Sequence, residues 1–176
     1  MPAGARIVLD GVLYHLIVRG NQKQKVFREE RDFREHLKRL KRYKRKYKFR
    51  LYSYCLMPNH IHLIGEIEQK GNLAKFMQGL NRSYTAYFNN KYQIPGQLWQ
   101  GRFKSKIIAK DGYLLDCINY VELNPLRANM VKNPYEYQWS SYKERALGAD
   151  RQHQLLDNLN LVGTPFPRSK TLSRLD

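Results

Sequence analysis

Two histidines, His60 and His62, stand two residues apart in the pentapeptide Asn59-His60-Ile61-His62-Leu63. From His60 to Ile67 the residues alternate as a strand does. His60, His62, Ile64 and Glu66 share one face, and Ile61, Leu63, Gly65 and Ile67 share the other. Both imidazoles therefore point the same way, close enough together to reach one divalent cation. Taken alone, the pair fits two ordinary surface or core histidines equally well. A second constellation lies downstream, where Tyr113, Cys117, Tyr120 and Asn124 follow at intervals of four, three and four, one stripe of a helix. A phenol with pKa near 10 is a poor nucleophile until a cation polarises the phosphate it attacks. Tyr120 and Asn124, one turn apart, could supply the phenol and an oxygen ligand for a metal-bound phosphate. Asn124-Pro125 fits equally well the start of a short helix running to about Val131.

The charge of the chain says what such a site would act on. Among 176 residues, Lys and Arg number 32 against 15 acids, a net charge of +17. An excess of that size attracts a polyanion, with nucleic acid ahead of a membrane surface. The charge is uneven, with 26 basic and 10 acidic residues in 1–132 against 6 and 5 in 133–176. Nine of the thirteen positions from Lys38 to Arg50 are basic and none is acidic, so that helix face repels itself unless an anion lies near. Cys55 and Cys117, with no CxxC spacing, suit reduced thiols and exclude a zinc finger. No apolar run reaches transmembrane length and no signal peptide is evident, so no membrane association is expected and a cytoplasmic protein is.

The elements that position these residues follow from periodicity. Strands are expected at 12–19, 49–56, 60–67 and 103–109, and helices at 29–47, 72–90 and 111–123, with Asp111 as N-cap of the last. The order β-α-β-β-α-β plus a helix is that of an α+β, ferredoxin-like split βαβ fold: an antiparallel sheet of four to five strands with helices packed on it. Residues 1–147 read as one domain and 148–176 as a loop-like, partly flexible tail.

At this point five stretches resemble one family. MPNHIHLI (57–64) resembles the His-hydrophobic-His metal motif of Y1-type, IS200-like HUH transposases, and YVELNPLRANMV (120–131) resembles their tyrosine segment. YHLIVRGN (14–21), LWQGRFKS (98–105) and WSSY (139–142) resemble the branch associated with repetitive extragenic palindromes (REPs). The resemblance covers about residues 5–145. It implies a metal-dependent endonuclease and strand transferase that recognises hairpins in single-stranded DNA and cleaves through a 5′-phosphotyrosine. In that reading His60, His62 and Asn124 hold Mg²⁺ or Mn²⁺ and Tyr120 is the nucleophile; other branches place a glutamine where Asn124 stands. Arg19, Asn21, Arg42, Arg45, Arg102, Lys104 and Lys106 are the expected DNA contacts, with Tyr52 and Trp99 as exposed aromatics for stacking bases. The resemblance further implies a bacterial, nucleoid-associated protein. A monomer is expected, with a dimer as the alternative. Two other readings share the fold: a non-catalytic binder of single-stranded DNA or RNA hairpins, and a metal hydrolase using activated water. Only the tyrosine enzyme leaves a covalent protein–DNA adduct.

Overall fold

The structure, a computed structural model, describes residues 12–69, 71–108, 113–147 and 154–159. Four strands, β1 (Leu13–Arg19), β2 (Phe49–Met57), β3 (His60–Ile67) and β4 (Lys104–Ile108), form one antiparallel sheet in the order β2-β3-β1-β4. That order is the one a split βαβ fold requires, since β3 must sit between the two strands that helix α1 (Glu30–Tyr47) connects. The strand expected at 103–109 is shorter at its N-terminal end, and position 109 and Asp111 lie outside the described residues.

Helix α1 begins where the backbone N–H groups of Arg28 and Glu29 donate to Asp32 Oδ2, at 2.9 and 3.2 Å, and ends at Lys48, whose left-handed φ of 52° turns the chain into β2. Its apolar residues Phe33, Leu37 and Leu40 are buried, as the helical spacing dictates. Beside it lies α2 (Gly71–Tyr92), buried through Leu73, Phe76, Met77, Leu80, Tyr84 and Phe88. The two approach closely at Gly79, where a Cβ would come within 2.4 Å of the Tyr43 ring.

The other face of the sheet carries α3 (Tyr113–Glu122), which packs on β2, β3 and β4. After Leu123 the chain enters a single further turn, α4 (Asn124–Arg127), shorter than the helix to Val131 allowed by the sequence. The WSSY stretch then runs along the outer edge of β2. Leu56 N donates to Trp139 O and Ser141 N to Tyr54 O, both at 2.9 Å, covering an edge that would otherwise be unpaired. Helix α5 (Tyr142–Leu147) follows. Within the tail, residues 154–159 are held against α1 and β2: Leu155 is buried, and Asp157 Oδ2 accepts from Lys44 Nζ at 2.6 Å and Leu51 N at 2.7 Å. Among the described residues no helix is long and apolar enough to cross a membrane.

Candidate active site

Strand pairing decides which side chains share the α3 face. His62 is paired with Ile17 of β1 and Cys55 of β2, and His60 with Arg19 and Met57. Paired residues point to the same side of a sheet. The alternation expected for 60–67 is therefore realised, with Ile61, Leu63 and Ile67 buried on the opposite face. The same register brings His15, paired with Ile64 and Lys106, onto the histidine face.

The three imidazoles lie side by side, and His15 and His62 share a hydrogen bond. His15 Nε2 lies 2.8 Å from His62 Nδ1, and the His60 and His62 ring centroids are 5.0 Å apart at 81°. His60 Nδ1 lies 2.6 Å from Asn59 Oδ1, and the Asn59 amide is oriented by Nδ2 donating to Lys23 O at 3.4 Å. An amide oxygen only accepts, so His60 Nδ1 carries the proton and its Nε2 lone pair is free. Burial keeps the rings neutral. The His62 pKa is pushed down to about 3 by burial and then by His15, His60 and Arg19. That of His15 falls to about 4 through burial and Lys106, and that of His60 is lowered by burial and Arg19.

Tyr120 reaches this cluster from α3. Its ring centroid is 6.3 Å from His15 and 6.2 Å from His62, both edge-on, while 45% of the residue is open to solvent. The Arg127 guanidinium lies over the ring at 4.8 Å. Asn124, one turn on, donates through Nδ2 to Tyr120 O at 3.0 Å and Val121 O at 3.5 Å, which leaves its side-chain oxygen as the free end of the amide. Tyr113, on the same stripe, is 61% exposed at the start of α3 and keeps company with Cys117. Among the described residues no three or more His, Cys, Asp or Glu side chains gather into a metal site, so any cation at the histidine pair needs another kind of donor.

The tyrosine helix is fastened from below. Glu122, 2% exposed, accepts from Ser141 Oγ at 2.6 Å and Arg145 Nε at 2.9 Å, and Arg145 Nη2 also donates to Tyr52 O on β2. The start of the histidine strand is fastened too. Gly20 N donates to Asn59 O at 2.8 Å, and Val26 N and Phe27 N to Pro58 O at 2.8 and 3.1 Å. Asn21 N donates to Leu98 O and Gln100 N to Arg19 O, both at 2.8 Å. A Cβ at Gly20 would fall 2.4 Å from Gln24 O, so only glycine fits where these three motif stretches meet.

The expected DNA contacts divide into two groups. Arg19, Lys104 and Lys106 are exposed and belong by register to the histidine face; Arg102 is exposed in the approach to β4, and Asn21 sits half-buried in the turn after β1. Arg42 and Arg45 are exposed on α1, across the sheet from the histidines, so the seven do not line one surface. The stacking role expected of Tyr52 and Trp99 is overturned, because both are buried. Tyr52 stays on the Glu66 face of β2, where its hydroxyl donates to Glu66 at 2.6 Å, and Trp99 packs beside Tyr84 with Nε1 on Asn81 O at 3.3 Å. His15, Glu122 and Arg127 are not among the residues expected at the site, although all three lie inside the quoted motifs; the only signal for them is that membership.

An antiparallel split-βαβ sheet bearing a paired histidine motif opposite a helical tyrosine is the arrangement of a known class. The profile described as "Transposase IS200 like" matches residues 9–124, and the chain belongs to that IS200-like transposase family. A Haemophilus influenzae protein named for REP-associated tyrosine transposases is 29% identical, over 54% of this chain and 60% of its own length. The chain thus aligns with less than two thirds of that relative. A solved structure of a REP-associated tyrosine transposase bound to a REP hairpin superposes with a TM-score of 0.67 at 18% identity, covering 98% of this chain and 99% of that one, and so shares its fold. Both relatives come from the branch that the motifs resemble.

Proposed function

We propose that the protein is a metal-dependent single-stranded DNA endonuclease and strand transferase acting at DNA hairpins, with Tyr120 as nucleophile. The observation that carries the reading is the tyrosine ring standing at about six ångströms from two members of a neutral histidine cluster. His60 and His62 present Nε2 and Asn124 its side-chain oxygen as the holders of Mg²⁺ or Mn²⁺, a set of two nitrogens and one oxygen that suits either ion. Bound there, the cation would polarise the scissile phosphate and offset its developing charge.

Tyr120 Oη attacks phosphorus, the P–O3′ bond breaks, and the phenol's proton is replaced on the leaving 3′ oxygen through solvent. The products are a 5′-phosphotyrosine and a free 3′-OH, and reversal with a new 3′-OH rejoins the strand. Arg19, Lys104 and Lys106 would hold the strand at the histidine face, while Arg42 and Arg45 would meet duplex phosphates elsewhere on the hairpin. The Glu122 tether supports a tyrosine that serves its own subunit, hence a monomer built within residues 1–147. Such a substrate places the protein in the cytoplasm, beside the nucleoid.

The test is a labelled single-stranded hairpin incubated with Mn²⁺ and run on a denaturing gel. A 5′-linked adduct should form with the wild type and with Tyr113→Phe but not with Tyr120→Phe, which keeps the ring and loses the attacking oxygen. Cleavage without adduct would indicate activated water, and hairpin binding without cleavage a binding protein. An adduct surviving in Tyr120→Phe would refute the assignment.

A further inference from the structure

We infer that His15 is a positioning residue for the metal site: it accepts the Nδ1 proton of His62 and so fixes the tautomer in which His62 presents Nε2 to a cation. The inference rests on the reading of His60 and His62 as metal ligands. No sequence motif for metal binding includes His15, and it reaches the site only because β1 and β3 pair with Ile64 opposite it.

The two candidate ligands are held alike. His60 has an oxygen acceptor on Nδ1 at 2.6 Å, and His62 has a nitrogen at 2.8 Å in the same position. In each case Nε2 becomes the lone-pair end only when Nδ1 donates. Metal-bound histidines generally give their other N–H to such an acceptor, which fixes ring orientation and raises ligand basicity. For His62 the partner is another imidazole, able to donate or accept. If His15 Nε2 carried the hydrogen, His62 would be left with Nε2–H and could not ligate. A cation at His62 Nε2 therefore selects a single arrangement of both rings, with the His15 proton on Nδ1.

Packing alone does not call for a histidine here. His15 is 8% exposed and His62 5%, and the sheet neighbours of His15 on that face are Leu13, Ile64 and the alkyl stem of Lys106. Two imidazoles satisfying each other gain little over an apolar pair of similar volume, so a leucine or phenylalanine would serve the sheet at least as well. Their polarity has its use in the bond between them.

The experiment measures Mn²⁺ affinity of the full chain without DNA, from the free-ion EPR signal, for the wild type, His62→Ala, His15→Leu and His15→Gln. Glutamine carries an amide oxygen to about the reach of Nε2 and so restores an acceptor. His15→Leu should bind Mn²⁺ about 10- to 100-fold more weakly, and His15→Gln within about threefold of wild type. Two-bond ¹H–¹⁵N spectra of the metal-free proteins should show His62 losing its Nδ1–H form in His15→Leu and keeping it in His15→Gln. If His15→Leu binds Mn²⁺ as the wild type does while His62→Ala does not, the inference is overturned and the metal reading stands. If the wild type and His62→Ala bind equally, both fall. Equal losses in His15→Leu and His15→Gln, with His62 tautomers unchanged, would also overturn the role.

Discussion

Replacing Arg145 with methionine should loosen the tyrosine helix and destabilise the whole protein. Glu122 is 2% exposed and accepts from Arg145 Nε at 2.9 Å, Ser141 Oγ at 2.6 Å and Ser53 Oγ at 3.4 Å. Methionine keeps much of the apolar stem and removes the only cation among those partners, leaving a buried carboxylate with hydroxyl donors alone. Breaking a buried ion pair from one side costs about 3–5 kcal/mol. Set against a typical domain stability of about 5–15 kcal/mol, that is a large share. In a chain of this length it corresponds to a fall in Tm of roughly 6–20 °C. Neutralising the partner as well, in Glu122→Gln with Arg145→Met, removes the unpaired charge while the new amide oxygen still accepts from Ser141. The double variant should recover more than half of the loss. Urea titrations of wild type, both single variants and the double variant give the coupling energy directly. The covalent-adduct yield, read below the unfolding transition, reports on Tyr120. An Arg145→Met variant within about 1 kcal/mol of wild type, or a double variant less stable than Arg145→Met, would refute the reasoning.

Two further outcomes follow from the same geometry. Arg127→Ala removes the guanidinium 4.8 Å above Tyr120, a contact worth about 0.5–2 kcal/mol, and should slow adduct formation roughly 2- to 30-fold with hairpin affinity changed little; an unchanged single-turnover rate would rule it out. His36 is fully enclosed between Phe27 and Tyr84, and burial, then Arg39, lowers its pKa from 6.5 to about 3. The unfolded chain therefore binds a proton there that the folded one refuses, and the contribution of His36 to stability, full above about pH 6.5, should fall by about 1.4 kcal/mol per pH unit below it, beside those of His15 and His62. A His36→Phe variant whose pH profile is as steep as wild type between about pH 6 and 4 would contradict this.

How much of the molecule is legible in its sequence depends on how local each cause is. Strand β3 can be read to its ends, because alternation from His60 to Ile67 is a property of the segment itself. The apolar stripes of α1 and α2 are legible for the same reason, and their boundaries fall within two residues of those expected. His15 is not: one strand's alternation says which of its residues share a face, but not which strand pairs with it or in what register. Glu122 reads on a helix as a solvated acid, and only the return of the chain at Ser141 and Arg145 buries it. Tyr52 defeats the expectation of exposure because its partners come from elsewhere in the chain, with Glu66 of β3 taking its hydroxyl and Arg145 its carbonyl, and nothing in FRLYSYCL announces them.

The meeting of Gly20, Asn59 and Leu98 bears on how such proteins could be recombined. These residues belong to three stretches separated by tens of positions, yet each ties its backbone to another, and the glycine admits no side chain. Exchanging one stretch for that of a distant relative would set a foreign loop against a turn it was not shaped for, and the turn carries His60. The smallest transplantable unit is thus the trio, 14–21 with 57–64 and 98–105, moved together. Gene shuffling between family members should yield working chimaeras when crossovers keep all three from one parent, and inactive ones when they divide them.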